Sequence, residues 1–323
     1  MKKSISVSIA SIAAAGALFL ACAAHAQPRI NIGAGQIRFV VPGPPGGPAG
    51  PTVQLLANKV SAILGQTVVP DYRPGAGGNI ALTATAQAKP DGSTILFAAP
   101  YLVTNPFFQK IAADPGIVAP VVQFNRGVGV LLVHPENPAK TVQELIANIK
   151  AQPGKLSCAA TTVALSFVSC HVFEAHAGKL LMVGYQGNAQ ASAAVAKSEV
   201  DILFEFVNVA IAPVKEGRLR ALAVTSTTPA ESFKSLPVTS SFAPGFDITG
   251  WQGLVVAKET PRDVVMALNE AFNKALQDAE VRRVFEGGGL EIVGGTPEAF
   301  GDMIKRDFEF YGRVAKEAKI EPQ

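Results

Sequence analysis

The chain has 323 residues, and its formal net charge at pH 7 is +3. Because 28 basic residues nearly balance 25 acidic ones, the sequence lacks the broad positive field by which proteins bind nucleic acids or anionic lipids. Its 48% hydrophobic content supplies a large core, and its length fits two domains or one large domain.

Residues 1–26 have the pattern of a secretory signal peptide. Lys2 and Lys3 form a positive start, residues 9–24 are apolar, and Ala24-His25-Ala26 is a small-x-small cleavage site. One alternative is a retained anchor, although the apolar run is short for a membrane-spanning helix. A second alternative is a lipoprotein with its lipid on Cys22. We expect cleavage after Ala26 and export to the periplasm, where ATP and NADH are not available.

The remaining chain alternates short apolar runs with amphipathic segments. The predicted strands cover residues 37–41, 67–70, 94–98, 120–124, 128–133, 156–159, 180–183, 200–205, 219–225 and 253–257. Predicted helices follow most of them, and the clearest cover residues 52–64, 165–177, 189–197 and 208–216. Strands separated by such helices predict parallel sheets with right-handed crossovers, which bind ligands at the carboxyl ends of their strands.

Three further helices begin with a recognisable cap. Thr141-Val142-Gln143-Glu144 is a capping box, in which a hydroxyl and a carboxylate bond reciprocally to free main-chain amides. Thr260-Pro261 and Thr296-Pro297 each combine a hydroxyl cap with proline at the first helical position.

Two glycine-rich loops, residues 42–50 and 74–79, each follow a predicted strand and precede a helix. Glycine allows the main chain to approach a ligand closely, and free amides at a helix start attract anions. Neither loop has the lysine of a P-loop or the spacing of a dinucleotide fingerprint, so nucleotide binding is not supported. Anion binding is our interpretation, and simple tight turns are the alternative.

The remaining reactive side chains give few signals. After cleavage, Cys158 and Cys170 are an even pair in an oxidising compartment, which leaves open a disulfide or two separate buried thiols. The spacing of His171 and His176 does not match that of two metal ligands on one helix face, so we predict no metal site and no cofactor. Glu205 ends an apolar strand, and its carboxylate is either solvated or directed into a cleft.

Several segments, in order along the chain, together resemble the substrate-binding proteins of tripartite tricarboxylate transporters, the Bug receptors. The matching segments are Ile37-Arg38-Phe39-Val40-Val41-Pro42-Gly43-Pro44-Pro45-Gly46-Gly47, Tyr72-Arg73-Pro74-Gly75-Ala76-Gly77-Gly78-Asn79-Ile80, Lys89-Pro90-Asp91-Gly92, Thr104-Asn105-Pro106, Pro153-Gly154-Lys155-Leu156, Tyr185-Gln186-Gly187, Gly217-Arg218-Leu219-Arg220-Ala221-Leu222-Ala223-Val224-Thr225-Ser226 and Gly294-Gly295-Thr296-Pro297-Glu298. Each segment alone is a weak signal, and their shared order is a strong one.

The resemblance implies an α/β fold of the type II periplasmic binding proteins, with two lobes joined by a hinge and a ligand cleft between them. Lobe 1 would combine residues 27–124 with 250–323, and lobe 2 would comprise residues 125–249. The implied function is a non-enzymatic periplasmic receptor that captures a small organic anion, with a carboxylate as the expected class of ligand. Its implied partners are that ligand and a membrane permease, with no nucleic acid, and we expect a monomer.

By the same resemblance, the ligand contacts lie on six loops or strand ends, one of which is a turn at residues 101–105. The residues concerned are Pro44, Pro45, Gly46, Gly47, Pro48, Gly75, Ala76, Gly77, Gly78, Tyr101, Thr104, Thr161, Thr162, Ser166, Tyr185, Gln186, Gly187 and Glu205. The sequence departs from the family pattern at Pro48, Gly50 and Gln54 in the first loop, so the identity of the ligand stays open. Two other functions also stay open: a secreted α/β hydrolase of small esters or amides, and a receptor that signals to a membrane sensor.

Overall fold

The computed structural model describes residues 32–317 except 34, 48, 111–112, 162–164, 186 and 244–245, together with residue 322. The strands within this part are β1 (Ile37–Val41), β2 (Val68–Tyr72), β3 (Thr94–Ala98), β4 (Val118–Val133), β5 (Ser157–Thr161), β6 (Leu181–Tyr185), β7 (Ile202–Phe206), β8 (Arg220–Val224), β9 (Thr249–Ala257) and β10 (Glu291–Gly294). The signal peptide predicted over residues 1–26 lies outside the described residues.

The helices of the described part alternate with these strands. They are α1 (Gly50–Leu64), α2 (Asn79–Ala86), α3 (Tyr101–Phe108), α4 (Val142–Ala151), α5 (Leu165–Ala177), α6 (Asn188–Ala196), α7 (Val207–Lys215), α8 (Arg262–Leu276), α9 (Ala279–Gly287) and α10 (Pro297–Glu317). None of them combines the length and the apolar character that a membrane span requires.

Strand β4 joins two groups of strands through continuous hydrogen bonding. The order along the sheet is β2-β1-β3-β9-β4-β7-β5-β6, and both β10 and β8 also pair with β4. We call β1, β2, β3, β9, β10 and the first half of β4 the first sheet region. The second sheet region comprises β5, β6, β7, β8 and the second half of β4.

The prediction of purely parallel sheets is wrong at β4 and β9. Strands β1, β2 and β3 are parallel, as are β5, β6 and β7, but β9 runs antiparallel to β3, and β4 runs antiparallel to β7 and β8. The connectivity supplies the reason. The junction is the middle of β4, where the two regions meet. Strand β4 enters the second region there and β9 enters the first region there, and both run away from the junction. Strands β1 to β3 and β5 to β7, which are linked by helices, run toward the junction.

The two apolar runs predicted as strands 120–124 and 128–133 form the single strand β4. The polar residues between them are accommodated by partners on neighbouring strands. Asn125 is fully buried, and its Nδ2 donates to Gln252 Oε1 on β9 at 3.0 Å. Arg126 bonds to Glu291 on β10 through two nitrogens, at 2.8 and 2.9 Å. Tertiary partners therefore maintain a strand where the local sequence indicates a break.

Each sheet region has its own aromatic cluster. In the first region the ring of Phe124 on β4 stacks on Phe272 of α8, with 5.4 Å between centroids. In the second region Phe204 on β7 contacts Phe173 of α5 edge to face at 5.5 Å. Such pairs add stabilisation to the burial of large apolar surfaces. The loops and helix starts at the strand ends therefore extend from two sheet regions that each have a packed aromatic cluster.

The predicted helix caps have different outcomes. Thr141 Oγ1 accepts from Glu144 N at 3.2 Å, and the Glu144 carboxylate accepts from the amide of Lys140. Thr296 Oγ1 accepts from Ala299 N at the start of α10, as predicted. The Thr260 cap is wrong, because α8 starts one residue later with Pro261 at its N-cap, and Thr260 Oγ1 has no hydrogen-bond partner among the described residues.

Candidate functional site

The first glycine loop lies between β1 and α1 and presents mainly main-chain groups. Pro44, Pro45 and Gly46 are exposed, and Gly47 is partly exposed. The amide of Gly47 donates to the carbonyl of Pro44 at 3.0 Å, which closes a tight turn. Helix α1 has no side-chain cap and no acidic residue in its first turn, so this helix start remains favourable for an anion. Pro48 lies outside the described residues.

The second glycine loop lies between β2 and α2 and has a left-handed main chain at four successive positions. The φ angles are +123° at Gly75, +46° at Ala76, +59° at Gly77 and +98° at Gly78. Within the described residues only Ala76 and Ser198 combine a side chain with a positive φ. Such a conformation costs a residue with a Cβ of order 1–3 kcal/mol, and surrounding contacts must maintain it.

Helix α3 supplies those contacts. Asn105 Nδ2 donates to the carbonyl oxygen of Gly77 at 3.0 Å, and Asn105 is 1% exposed. A Cβ on Gly78 would lie 2.7 Å from the ring of Tyr101, so only glycine fits there without a shift. The sequence predicted a turn at residues 101–105, which is wrong because residues 101–108 form this helix despite Pro106 within it.

Tyr101 and Thr104 are less available than predicted. The Tyr101 hydroxyl donates to the carbonyl oxygen of Phe97 at 3.0 Å, and burial raises the pKa of this phenol. Thr104 is 2% exposed, and its hydroxyl has no partner within the described residues. Tyr101 therefore contributes mainly its ring, which packs against the second glycine loop.

In the second sheet region, Thr161 at the end of β5 contacts Ser166 at the start of α5. Their hydroxyl oxygens are 2.6 Å apart, and Ser166 Oγ also accepts from Thr161 N at 3.0 Å. Both residues are 2% exposed. A disulfide between Cys158 and Cys170 joins the same strand and helix, with Cα atoms 6.1 Å apart, which resolves the alternative left open by the sequence. Thr162 lies outside the described residues.

The ends of β6 and β7 meet at the start of α6. Tyr185 and Gly187 are partly exposed, and Gln186 lies outside the described residues. Glu205 is only 2% exposed, so its carboxyl group is not solvated. Its Oε1 accepts from Asn188 Nδ2 at 2.6 Å and from Phe206 N at 2.8 Å, while Oε2 has no partner in the described part of the chain.

Burial raises the pKa of Glu205 to about 7, and the bonds from Phe206 and Asn188 offset part of that effect. At neutral pH both protonation states of this group are therefore populated. Its partner Asn188 was absent from the predicted site residues, as was Asn105. Asn105 belongs to a segment that carries the resemblance and Asn188 directly follows one, but an amide that orients another group has no distinctive spacing in a sequence.

Some of the predicted site residues contact one another in the described part of the chain, and others do not. Gly78 adjoins Tyr101, and Thr161 bonds to Ser166, whereas no hydrogen bond joins Glu205 to either glycine loop within the described part. The two sheet regions also touch through helices α3 and α5, where the rings of Phe108 and Phe167 meet edge to face at 5.5 Å. This contact joins the helices that follow β3 and β5.

A cavity of about 640 Å³ lies at the junction of the regions, lined by parts of β4, α9, β10 and the loop after β8. It includes the exposed Arg126–Glu291 pair and Asp247, but none of the predicted site residues. Within the described residues no group of three or more His, Cys, Asp or Glu side chains could hold a metal ion.

A family model described as tripartite tricarboxylate transporter family receptor, TctC, matches residues 53–320. The chain belongs to this receptor family. It is 32% identical over 291 residues to the UPF0065 protein in the tcbD-tcbE intergenic region of Pseudomonas sp. (strain P51), covering 88% of this chain and 86% of that protein.

Two solved receptor structures have the same fold. The periplasmic binding protein BugD is 27% identical with a TM-score of 0.79, and the match covers 90% of this chain and 100% of BugD. The R. palustris protein Rpa4515, solved with adipate, is 25% identical with a TM-score of 0.81, covering 91% of this chain and 100% of that protein. These matches confirm the predicted periplasmic-binding-protein fold of this TctC-family receptor.

The family and these structures consist of solute-binding receptors rather than enzymes. The hydrolase alternative is therefore not supported. Cys170, which neighbours His171 in the sequence, is bonded to Cys158 and is not a free nucleophile.

Proposed function

We propose that this TctC-family protein is a periplasmic receptor whose two lobes close on a small carboxylate. Lobe 1 would comprise residues 27–124 and 250–323, and lobe 2 residues 125–249. The strand pairing supports this division, because the chain passes between the sheet regions along β4 and returns at β9. Closure would be driven by a ligand that binds the closed arrangement more tightly than the open one.

Lobe 1 would bind the carboxylate of the ligand with main-chain amides. The observation that carries this proposal is the pair of glycine loops after β1 and β2, with exposed residues and no acidic side chain in the first turns of α1 and α2. Charge-assisted hydrogen bonds from amides, direct or through ordered water, are short and strong. The donors would be the amides of Gly46, Gly75, Ala76 and Gly77, because proline has no N–H and the amides of Gly47 and Gly78 already bond within their own loops. The rest of the segments Pro44 to Pro48 and Gly75 to Gly78 would line the site, together with the ring of Tyr101 and the hydroxyl of Thr104.

Lobe 2 would bind the rest of the ligand with side chains. Thr161, Thr162 and Ser166 would contribute hydroxyl groups from one strand-to-helix connection. The segment Tyr185-Gln186-Gly187 and the carboxyl group of Glu205 would complete this surface. The disulfide and the Thr161–Ser166 bond support the proposal, because they hold the two ends of the connection together.

The wider role follows from the family. Receptors of this family work with a membrane transporter, and we propose that this protein is exported by residues 1–26, remains monomeric in the periplasm, and delivers its ligand to such a permease. The adipate in the Rpa4515 structure supports a carboxylate ligand for the present chain.

A thermal-shift screen tests the proposal. The purified mature protein is heated with a panel of small mono- and dicarboxylates, each paired with its uncharged amide. We expect a saturable rise in melting temperature with at least one acid and none with its amide. At a free ligand concentration of 100 times Kd, the stabilisation should be about 2.7 kcal/mol.

A matched pair of variants locates the site. Gly46→Ala and Gly217→Ala both place a Cβ at a positive φ, +79° and +69°, with no atom of the described residues within 4 Å. The two changes therefore cost similar backbone strain, about 1–2 kcal/mol. Only Gly46→Ala should weaken acid binding, by about tenfold. Equal affinities in the two variants, or turnover of an ester by a protein that binds no acid, would contradict the proposal.

A further inference from the structure

Glu205 occupies an unusual position for a receptor of anions. The side chain is 98% buried by its surroundings, and its position at the carboxyl end of β7 is next to the first residue of α6. Two donors converge on Oε1, from Asn188 and Phe206, and they fix the plane of the carboxyl group. The second oxygen, Oε2, is shielded from solvent and has no donor within the described residues.

Within the described part of the chain, no charged side chain pairs with this carboxylate. The elements packed against β7 are β4, β5, α5, α6 and α7. Their charged or titratable side chains, apart from the disulfide cysteines, are Arg126, His171, Glu174, His176 and Lys215. None of these side chains forms a hydrogen bond or ion pair with Glu205; Arg126 pairs with Glu291, and His171 lies 3.9 Å from Glu174. An ionised carboxylate that is buried without a counter-charge is strongly destabilised.

The two satisfied bonds indicate which protonation state the site is built for. An oxygen that accepts two N–H bonds is stabilised when the carboxyl group is ionised, and the free amides at the start of α6 act in the same direction. The arrangement therefore supplies the hydrogen-bond donors that an ionised carboxylate needs at Oε1. What it does not supply, among the described residues, is a cation or donor at Oε2.

We infer that the ligand supplies this missing group, an ammonium that bonds to Glu205 Oε2, so that the receptor takes amino acids in their zwitterionic form in preference to simple carboxylic acids. The inference rests on the proposed function, since the ligand carboxylate would bind the glycine loops of lobe 1. Lobe 1 recognises the acid, and Glu205 recognises the amine on the same molecule.

Matched pairs of ligands test this inference by isothermal titration calorimetry on the intact mature protein. The pairs differ only by an amino group: glutamate and glutarate, 2-aminoadipate and adipate, γ-aminobutyrate and butyrate, phenylalanine and 3-phenylpropionate. In at least one pair we expect the amino form to bind about ten- to a hundredfold more tightly, as for a buried hydrogen bond between two charged groups.

Glu205→Gln is the decisive variant, because it retains the size and Oε1 of the side chain and removes its charge. The amino form should lose its advantage, while the simple acid should bind more tightly because a repelling charge is gone. Glu199→Gln, which changes an exposed glutamate in the turn before β7, is the control and should leave both affinities unchanged. Circular dichroism and melting temperature check that each variant is folded.

The pH dependence provides a readout that a merely structural role would not change. Because burial raises the pKa of Glu205 to about 7, an ammonium must displace a proton from part of the population. Amino-acid binding should release about half a proton at pH 7 and weaken as the pH falls toward 6. Binding of a simple acid should take up protons and strengthen over the same range.

The outcomes separate the two proposals. If the simple acid binds as well as its amino form in every pair, and Glu205→Gln changes neither ratio nor proton release, the inference is overturned while the receptor function stands. If neither these ligands nor any acid of the wider panel binds, the proposed function fails, and the inference fails with it.

Discussion

The two sheet regions offer a ligand different chemistry. The first presents main-chain groups on exposed glycine loops, and Asn105 and Tyr101 hold the second of these loops from behind. The second presents buried side chains, among them the Thr161–Ser166 pair and Glu205. Main-chain amides attract any small anion of suitable shape, whereas a buried polar side chain favours only a ligand with a group that can bond to it. Affinity for acids would thus come from one region and selectivity from the other.

The disulfide gives the largest expected effect, and it belongs to the second region. Replacing both Cys158 and Cys170 by alanine should lower the free energy of unfolding by about 3 kcal/mol, because the bond closes a loop with a sequence separation of 12 residues. Urea unfolding of the variant and the wild type measures the change.

Ligand affinity of the same variant sharpens the comparison. If the disulfide mainly positions Thr161 and Ser166, affinity should fall at temperatures where the variant is fully folded. Unchanged affinity would show that the hydroxyl pair is held without the disulfide. Mild reductant on the native protein is a control, since both cysteines are fully buried and should resist reduction.

The second effect concerns the pH dependence of the ligand-free protein. The pKa of Glu205 is raised from 4.5 to about 7, so the folded protein holds a proton that the unfolded chain has lost. Stability should therefore be fully present below pH 4.5 and fall as the pH rises through about 7, by at most about 3 kcal/mol. Urea unfolding at several pH values measures this slope.

The first sheet region provides a control for that slope. Burial raises the pKa of Asp307 to about 6, although Trp251 Nε1 donates to its carboxylate at 2.7 Å. Glu205→Gln should remove the contribution between pH 4.5 and about 7, and Asp307→Asn the contribution between pH 3.8 and about 6. Only the Glu205 contribution extends above pH 6, so that range distinguishes the two variants. An identical pH profile for Glu205→Gln and the wild type would mean that this carboxyl group is solvated in solution.

The smallest expected effect tests the first region. Gly78→Ala combines a positive φ with a Cβ only 2.7 Å from the Tyr101 ring, so we expect a loss of about 2 kcal/mol in unfolding free energy, at the upper end of what a positive φ alone costs, and weaker acid binding. Gly217→Ala has a similar φ without the close contact and should retain its affinity. If Gly78→Ala binds acids normally, the second glycine loop does not contact the ligand.

Apolar patterning and helix caps predicted the strands and helices well where the buried face of the folded chain matches the local pattern. The strand at residues 37–41, the helix at residues 165–177 and the start of α10 all follow directly from apolar patterning and caps. The errors lie where tertiary partners override local sequence. Asn125 sits inside β4 because Gln252 bonds to it, and residues 101–108 form a helix against the second glycine loop although they contain a proline.

The candidate site divides in the same way. Glycine loops were predictable because few residues other than glycine adopt such a main chain, and the disulfide was one of two alternatives. The roles of Asn105 and Asn188 were not predictable, because each depends on a bond to a group 28 or 17 residues away in the chain. The side-chain amide of an asparagine has the same sequence signature whether it orients a loop or contacts solvent.

The sequence by itself determined the alternation of strands and helices, the glycine loops and the resemblance to a receptor family, because these depend on local backbone preference and on the order of motifs. Only the tertiary structure decided the directions of β4 and β9, the bond between Cys158 and Cys170, and the burial of Glu205, of which one oxygen has no partner among the described residues. Those features depend on which distant residues the folded chain brings together, and the electrostatic environment of a carboxyl group exists only after that packing is complete.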